Sequence, residues 1–466
     1  MALSPAGVPR LEQAGMNAAV LAFTLAVSIA SSLVFGLVPA LRAARSSVST
    51  VLSEGGRGSV GSAGRDRLRS ALITAEVALS VLLLVGAGLL IRSAIELQRV
   101  RPGFDPRGLL TARVSLPPAA YQESSRVEAA FQRLAEAAAQ TPGVRLAALS
   151  TQIPLSSINS TNGLVPEGKA PVAENAIDSR LHVVTPDYFR ALGVPIVRGR
   201  ALTAGDRRGA QKVMVVSETL AAALFPGQDP TGRRVACCED GPDGPDYKMI
   251  VGVAADLRSR GLAAESVPEF YLPMVQAPPE AWNWFQRSMF LVVRAAAGRP
   301  ESLVPPLRRV VAGIDPGIPL YDVRTMEQRM ADSLATARFN TLLLTLLGFF
   351  GLLLAAGGIY GVIAYFVTQR TSEIGVRMAL GATSRAVTRL VLRQAAVPVA
   401  AGVVLGLAAS AVATRVLAAS LVGVGRMDPL TLAVVVLVLA ATALLASVVP
   451  ARRATRVDPT RALQAA

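Results

Sequence analysis

The sequence predicts a multi-pass α-helical membrane protein with about five transmembrane helices and a large extracytoplasmic α/β domain. The 466-residue chain is 52% hydrophobic, with a mean hydropathy of +0.45, which is too apolar for an ordinary soluble protein. Several of its apolar runs reach about 20 residues, the length that a helix needs to cross a bilayer. Between two of these runs lie the 247 residues Arg92–Arg338, which contain no such run and are long enough for a folded domain.

Five apolar segments predict the membrane helices, and only one of them contains a charged residue, Glu76. A proton pathway would need further acids inside the spans, so we expect Glu76 to have a structural role. It could pair with an arginine of the inner loop or face a partner helix. The predicted spans are 16–38, 71–91, 341–367, 395–414 and 430–449.

Two stretches 411 residues apart are similar to each other. Met16–Leu52 and Met427–Leu463 agree at 13 of 37 positions, and both leave an apolar run through P-A-x-R-A-x-R. This favours a duplicated unit of about 400 residues, with 16–38 as the last helix of a preceding unit; the alternative is chance similarity of two apolar helices. We expect the arginines at these exits mainly to anchor helix ends at the headgroups. They are Arg42, Arg45, Arg452, Arg453 and Arg456.

The charges of the short loops predict the orientation. The linker 39–70 holds six arginines against two acids, the segment 368–394 five against one, and the tail 450–466 four against one. Positive loops face the cytoplasm, so these three segments are predicted to be cytoplasmic and 92–338 extracytoplasmic. The basic cluster Arg92, Arg99 and Arg101 disagrees with this assignment.

The extracytoplasmic segment alternates predicted strands and helices, which indicates an α/β fold. His182 is interpreted as an ordinary strand residue, whereas Trp282 and Trp284 could form either an exposed tip or a cover over a core. The predicted strands are 109–116, 145–150, 212–217, 248–256 and 288–295, and the predicted helices are 124–140 and 303–311.

The cytoplasmic segment 368–394, named the coupling segment below, has an amphipathic pattern. Glu373 precedes Arg377 by four residues, the favourable order for an ion pair on a helix. Gly381 interrupts the pattern, which resumes at residue 386. Charge alone favours the alternative, an arginine cluster that contacts headgroups. The predicted apolar side carries Ile374, Met378 and Leu380, and the predicted basic stripe carries Arg385, Arg389 and Arg393.

Glycines in the apolar segments predict close helix packing, because small residues let helix backbones approach each other in lipid. Gly402 and Gly406 form a G-x-x-x-G pair. Generic packing of a helix bundle is sufficient to explain all of these positions. The predicted packing residues are Gly357, Gly358, Gly361, Gly402 and Gly406.

Four stretches carry a resemblance to a known family: LITAEVALSVLLLVGAGLLIRS, VTPDYFRALGVPIVRGRAL, VVSETLAAALFPGQDPTGRRV and GGIYGVIAYFVTQRTSEIGVRMALGAT. In these the chain resembles the FtsX-like permease family with a MacB-like periplasmic core domain, in its duplicated-permease form. The resemblance implies an outer domain with a porter-like part and an inserted part. It also implies that an ATPase subunit docks on the coupling segment at Glu373, Gly375, Arg377, Gly381 and Ala382.

The resemblance implies a permease subunit of an ABC-type transporter or mechanotransmission system in the bacterial inner membrane, for efflux or the handling of envelope substrates. The sequence contains no G-x-x-x-x-G-K-[ST] motif and one histidine, so we expect no ATP hydrolysis, catalytic site, metal or cofactor in this chain. The expected partners are an ABC ATPase, membrane lipid, a periplasmic protein and a second copy or pseudo-dimeric half, but not nucleic acid. The alternative is a non-transport scaffold that regulates a periplasmic or cell-wall partner.

Overall fold

The computed structural model describes residues 18–26, 28–29, 62–156, 158–170, 172–241, 244–285, 287–369, 371–380, 382–417 and 428–454. The chain divides into a helical unit, up to Glu96 and from Ala337, and an α/β unit from Leu97 to Thr336. The helices are α1 (Ser62–Arg99), α2 (Ser124–Ala139), α3 (Tyr188–Leu192), α4 (Glu218–Leu224), α5 (Ala281–Trp284), α6 (Val304–Ile314), α7 (Met326–Ser333), α8 (Ala335–Gln369), α9 (Thr371–Ala379), α10 (Ser384–Leu417) and α11 (Pro429–Ala454). The strands are β1 (Leu109–Ser115), β2 (Val144–Ser150), β3 (Thr161–Pro166), β4 (Ile177–Val184), β5 (Ile196–Gly199), β6 (Val213–Ser217), β7 (Arg234–Gly241), β8 (Gly244–Ala254), β9 (Glu269–Pro273), β10 (Ser288–Ala295) and β11 (Leu320–Thr325).

Four described helices are long and apolar enough to cross a membrane. Their apolar stretches are Ser70–Arg99, Ala335–Thr368, Ala396–Thr414 and Pro429–Pro450. They include the last four predicted spans. The first predicted span lies largely outside the described residues, of which 18–26 and 28–29 are helical.

The strands of the α/β unit form one sheet in the order β11-β1-β10-β2-β4-β3-β7-β8-β6-β9, with β5 paired to β8. β4 also pairs with β9. The six strands β4, β3, β7, β8, β6 and β9 therefore form a closed ring of pairings. The four strands at the other end, β11, β1, β10 and β2, pair antiparallel with one another. The five predicted strands are confirmed as β1, β2, β6, β8 and β10, although β8 begins earlier, at Gly244.

Apolar residues cover both faces of β1, as expected for a strand inside a layered domain. Leu110 and Val114 belong to a cluster with residues of α2 and α6, whereas Leu109 belongs to a second cluster with residues of α3. The predicted helical spacing of 124–140 is confirmed by α2, whose buried residues include Phe131 and Leu134. Trp282 is 2% exposed, and its ring stacks on Phe131 with centroids 5.6 Å apart, so it covers the core.

A buried polar cluster lies where β4 pairs with β9. His182 Nε2 is 3.5 Å from Glu269 Oε2, with both side chains at most 1% exposed. The Tyr271 hydroxyl donates to the same carboxylate oxygen at 2.7 Å, and His182 Nδ1 lies 3.4 Å from the carbonyl oxygen of Gln152. Both ring nitrogens thus face oxygen atoms. The lone histidine is part of a buried polar cluster inside the sheet.

Candidate functional site

The first half of the coupling segment forms α9. Its Glu373 Oε1 accepts a hydrogen bond from Arg377 Nη2 at 2.6 Å, and both side chains are about half exposed, at 42% and 50%. This is the helical pairing that their spacing predicts. Gly375 lies inside the same helix. The pair stabilises α9 by about 0.3–0.5 kcal/mol.

The end of α9 exposes an apolar side chain. Leu380 is 83% exposed and follows the last helical residue, while Val376 one turn earlier is 39% exposed. The prediction that Leu380 shares a side with Met378 is wrong, because Met378 packs against the core of the bundle. The backbone N–H of Ala382 donates to the carbonyl of Arg377 at 2.9 Å. Gly381 lies outside the described residues.

The second half of the coupling segment is continuous with a predicted membrane span, since α10 runs unbroken from Ser384 to Leu417. Thr383 caps its start, because its Oγ1 accepts from the backbone N–H of Ala386 at 3.4 Å. Val387 is only 3% exposed and belongs to the apolar core of the bundle. The predicted basic stripe is on the exposed side: Arg385, Arg389 and Arg393.

The core of the helical unit is built on α1. Its buried residues repeat every fourth position, as do those of α8, and Val387 of the coupling segment joins the same cluster. Such i, i+4 rows are the ridges by which helices interdigitate. The rows are Ile73, Val77, Val81, Val85 and Leu89 on α1, and Ala355, Ile359, Ile363 and Val367 on α8.

The G-x-x-x-G pair of α10 lies against α1. A Cβ added to Gly402 would be 2.7 Å from Val77 Cβ, and one added to Gly406 would be 2.5 Å from Val81 Cβ. These separations are shorter than any van der Waals contact, so the two helices approach each other through the missing side chains.

The glycines of α8 differ in their surroundings. Gly358 faces the carboxylate of Glu76, which an added Cβ would overlap. By contrast, among the described residues nothing lies within 4 Å of a Cβ added to Gly357 or Gly361. The carboxylate of Glu76 therefore lies in a space that a glycine provides, a contact the sequence does not reveal.

The other end of α1 is joined to the start of α11. Arg92 forms an ion pair with Asp428, whose side chain is 8% exposed. Asp428 Oδ2 also accepts from the backbone N–H of Thr431 at 3.0 Å and from its hydroxyl at 2.6 Å, which caps α11. Arg92 thus has an acidic partner that balances its charge. Arg92 is one member of the basic cluster that disagreed with the predicted orientation.

Arg92→Ala is expected to lower the melting temperature of the detergent-purified protein by several degrees, because Asp428 would lose the cation that balances its largely buried charge. Arg92→Lys keeps that charge and should retain most of the stability. Arg101→Ala, at an exposed position, is the control. A melting temperature for Arg92→Ala equal to that of the control would contradict the role assigned to this ion pair.

The predicted anchor arginines fall at the edge of what the structure describes. Arg452 is exposed near the end of α11, and Arg453 lies in the same helix. The remaining three, Arg42, Arg45 and Arg456, lie outside the described residues.

Two family models match the chain. Residues 70–304 match the MacB-like periplasmic core domain, and residues 345–459 match the FtsX-like permease C-terminal model. The first match alone spans 235 of the 466 residues.

Curated relatives are export proteins. The chain is 27% identical over 292 residues to the probable syringafactin export ATP-binding/permease protein SyfD of Pseudomonas syringae pv. tomato, covering 62% of this chain and 42% of that protein. It is 27% identical over 318 residues to the macrolide export ATP-binding/permease protein MacB of Wolinella succinogenes, covering 64% and 46%. The chain spans less than half the length of these relatives.

Among solved structures, the periplasmic region of MacB from Actinobacillus actinomycetemcomitans aligns with a TM-score of 0.32 and 14% identity, covering 48% of this chain and 92% of that one.

The first family match covers most of the α/β unit, and the second covers most of the apolar helices that follow this unit along the chain. The chain therefore belongs to the FtsX-like permease family whose members carry a MacB-like periplasmic core domain.

Proposed function

We propose that this chain is the permease subunit of an ABC-type export or mechanotransmission system in the bacterial inner membrane. In this proposal a separate ABC ATPase docks on the cytoplasmic coupling segment, and its ATP-driven movement passes through the helices to the extracytoplasmic α/β unit. Family membership supports the permease role. The absence of a phosphate-binding G-x-x-x-x-G-K-[ST] motif from the sequence supports ATP hydrolysis on a separate subunit.

One observation carries the proposal: one side of the coupling segment packs into the helix bundle, and the other side is exposed. Toward the bundle, Met378 and Val387 pack into the core that contains α1 and α8. Away from it, the Glu373–Arg377 ion pair is half exposed, and Leu380 is almost fully exposed. An exposed leucine beside a charged pair is typical of an interface core with a polar rim. A force applied to the exposed side would therefore act on α1 and α8, because the buried side of the same segment packs into the core that contains them.

The test is affinity purification of the tagged full chain from native membranes in mild detergent, with identification of every retained protein. We expect an ABC ATPase with the wild type, and a recovery at least about tenfold lower with Glu373→Ala/Arg377→Ala or with Leu380→Asp. Such a loss corresponds to about 1.4 kcal/mol of binding free energy. Arg389→Ala, which removes an exposed arginine outside the proposed surface, is the matched control.

Equal recovery of the ATPase with the wild type and the variants would show that the docking surface is elsewhere. Recovery of envelope proteins alone, without an ATPase, would instead favour the scaffold function.

A further inference from the structure

The last strand of the α/β sheet, β11, contains a strained residue. β11 pairs with β1, but the register shifts between Thr111 and Arg113, which indicates a β-bulge. In that bulge Asp322 has a φ of +47°, in the left-handed region that residues other than glycine seldom occupy. Bulges and positive-φ residues persist where surrounding contacts hold them, and they often redirect a side chain.

The side chain that holds this bulge is a buried arginine of α7. Arg329 is 8% exposed, and its Nη2 donates to Asp322 Oδ2 at 2.7 Å and to the carbonyl oxygen of Asp322 at 3.0 Å. Its Nε donates to Thr111 Oγ1 at 2.7 Å. The guanidinium also lies over the ring of Phe290 on β10, 5.5 Å from the centroid. One side chain of α7 thus bonds to both β11 and β1 and contacts β10.

The helix that carries Arg329 is fixed at its start and leads almost directly into α8. Thr325 and Gln328 form a capping box at the start of α7. Met326, the first residue of the helix, is fully buried. Only Leu334 separates α7 from α8, and its backbone N–H donates to the carbonyls of Met330 and Ala331. The chain therefore enters α8 without a flexible loop.

Apolar packing alone would hold α7 against the sheet but would let it turn or slide, because such contacts have no direction. Three hydrogen bonds from one planar guanidinium define both the rotation and the axial position of the helix. We propose that Arg329 is a positioning residue that fixes α7 to the sheet, so that a displacement of α8 is delivered to β1 and β10 rather than absorbed at the turn. This inference rests on the proposed function.

The fixing of α7 is tested by hydrogen–deuterium exchange on the full chain in lipid nanodiscs. Arg329→Met keeps an unbranched side chain without hydrogen bonds, and we expect the amides of α7 to exchange at least about tenfold faster. The matched control is Arg309→Met, which makes the same change at an exposed arginine of α6. If Arg329→Met fails to fold, Thr111→Val removes the bond from Arg329 Nε, together with the bond that Thr111 Oγ1 donates to the carbonyl oxygen of Arg324, and should give a smaller increase. Unchanged exchange of α7 in the folded variant would overturn the proposal.

Transmission is tested on the complex retained with the ATPase, by comparing exchange of β1 and β10 with ATP and with ADP. We expect a nucleotide-dependent difference in the wild type and in Arg309→Met, and its loss in Arg329→Met with ATPase recovery unchanged. A difference that persists in Arg329→Met would overturn the transmitting role. Failure of the proposed function would be recognised separately, because the ATPase would then be absent from the wild-type sample. That result would also overturn the transmitting role. The exchange of α7 would still decide whether Arg329 fixes that helix.

Discussion

Replacing Gly406 with alanine is expected to separate α10 from α1 and to destabilise the helical unit. The new Cβ would lie 2.5 Å from Val81 Cβ and 2.7 Å from the backbone carbonyl oxygen of Ala78. A carbonyl oxygen in a helix cannot rotate away as the end of a side chain can, so the helices themselves must shift. Overpacking of this kind costs about 1–3 kcal/mol. The same argument applies to Gly402, and we expect the double variant to lose more stability than either single one.

The matched control is Gly361→Ala in α8, where an added Cβ meets no described atom within 4 Å. There the substitution should be neutral or slightly stabilising, because alanine favours helix more than glycine by up to about 1 kcal/mol. The measurement is the thermal unfolding midpoint of each variant in the same detergent, together with recovery of the ATPase. Equal midpoints for Gly406→Ala and Gly361→Ala would contradict the packing described for α10.

Replacing Glu269 with glutamine is expected to have a comparable or larger effect on the α/β unit. The change removes the buried carboxylate that accepts a hydrogen bond from the Tyr271 hydroxyl at 2.7 Å and that lies 3.5 Å from His182 Nε2. A hydrogen bond to a charged group contributes about 1.5–3 kcal/mol, which sets the scale of the loss. Urea unfolding of the full chain, followed by the fluorescence of its two tryptophans, Trp282 and Trp284, would measure this loss. Glu265→Gln, at an exposed position nearby in the sequence, is the control and should change the midpoint little.

The same carboxylate predicts a dependence on acid. Burial alone would raise the pKa of Glu269, but the neighbouring imidazole of His182 and the hydrogen bond from the Tyr271 hydroxyl outweigh it, so the pKa lies below its ordinary value. The carboxylate therefore contributes its full stability above the unfolded carboxyl pKa, about 4.3, and loses it as pH falls toward the lower folded pKa. The difference in stability between wild type and Glu269→Gln should shrink over that acidic range. A difference independent of pH would contradict the role of the charge.

Local sequence patterns predicted five of the eleven strands in the described residues, because hydrophobic period and length are local properties. The spacing of Val127 and Phe131 gave α2, and the alternation of 109–116 gave β1. The predicted coupling segment ends at residue 394 because arginines stop and apolar residues begin there. The helix itself continues from Ser384, because backbone hydrogen bonding does not depend on whether a residue faces water or lipid.

Contacts between distant residues could not be predicted in the same way. Arg92 meets Asp428, and Glu76 lies against Gly358, through pairings that no local window contains. Arg329 gave no signal either, since a charged residue in a short helix is usually solvated. The glycine pattern at 402 and 406 indicated close packing in general, but only the structure shows that the neighbour is α1.

The four apolar stretches differ in length, so the thickness of the bilayer affects them differently. The stretch in α10 has 19 residues, whereas those in α1 and α8 have 30 and 34. At 1.5 Å per residue the shortest is about 28 Å long and the longest about 51 Å, against a hydrocarbon thickness of about 30 Å. A long apolar stretch can tilt to suit a thin bilayer, but a short apolar stretch cannot lengthen to suit a thick one, and each ångström of mismatch costs a fraction of a kcal/mol. The acyl chain length of the surrounding lipids therefore acts mainly on α10, the helix that also carries half of the coupling segment.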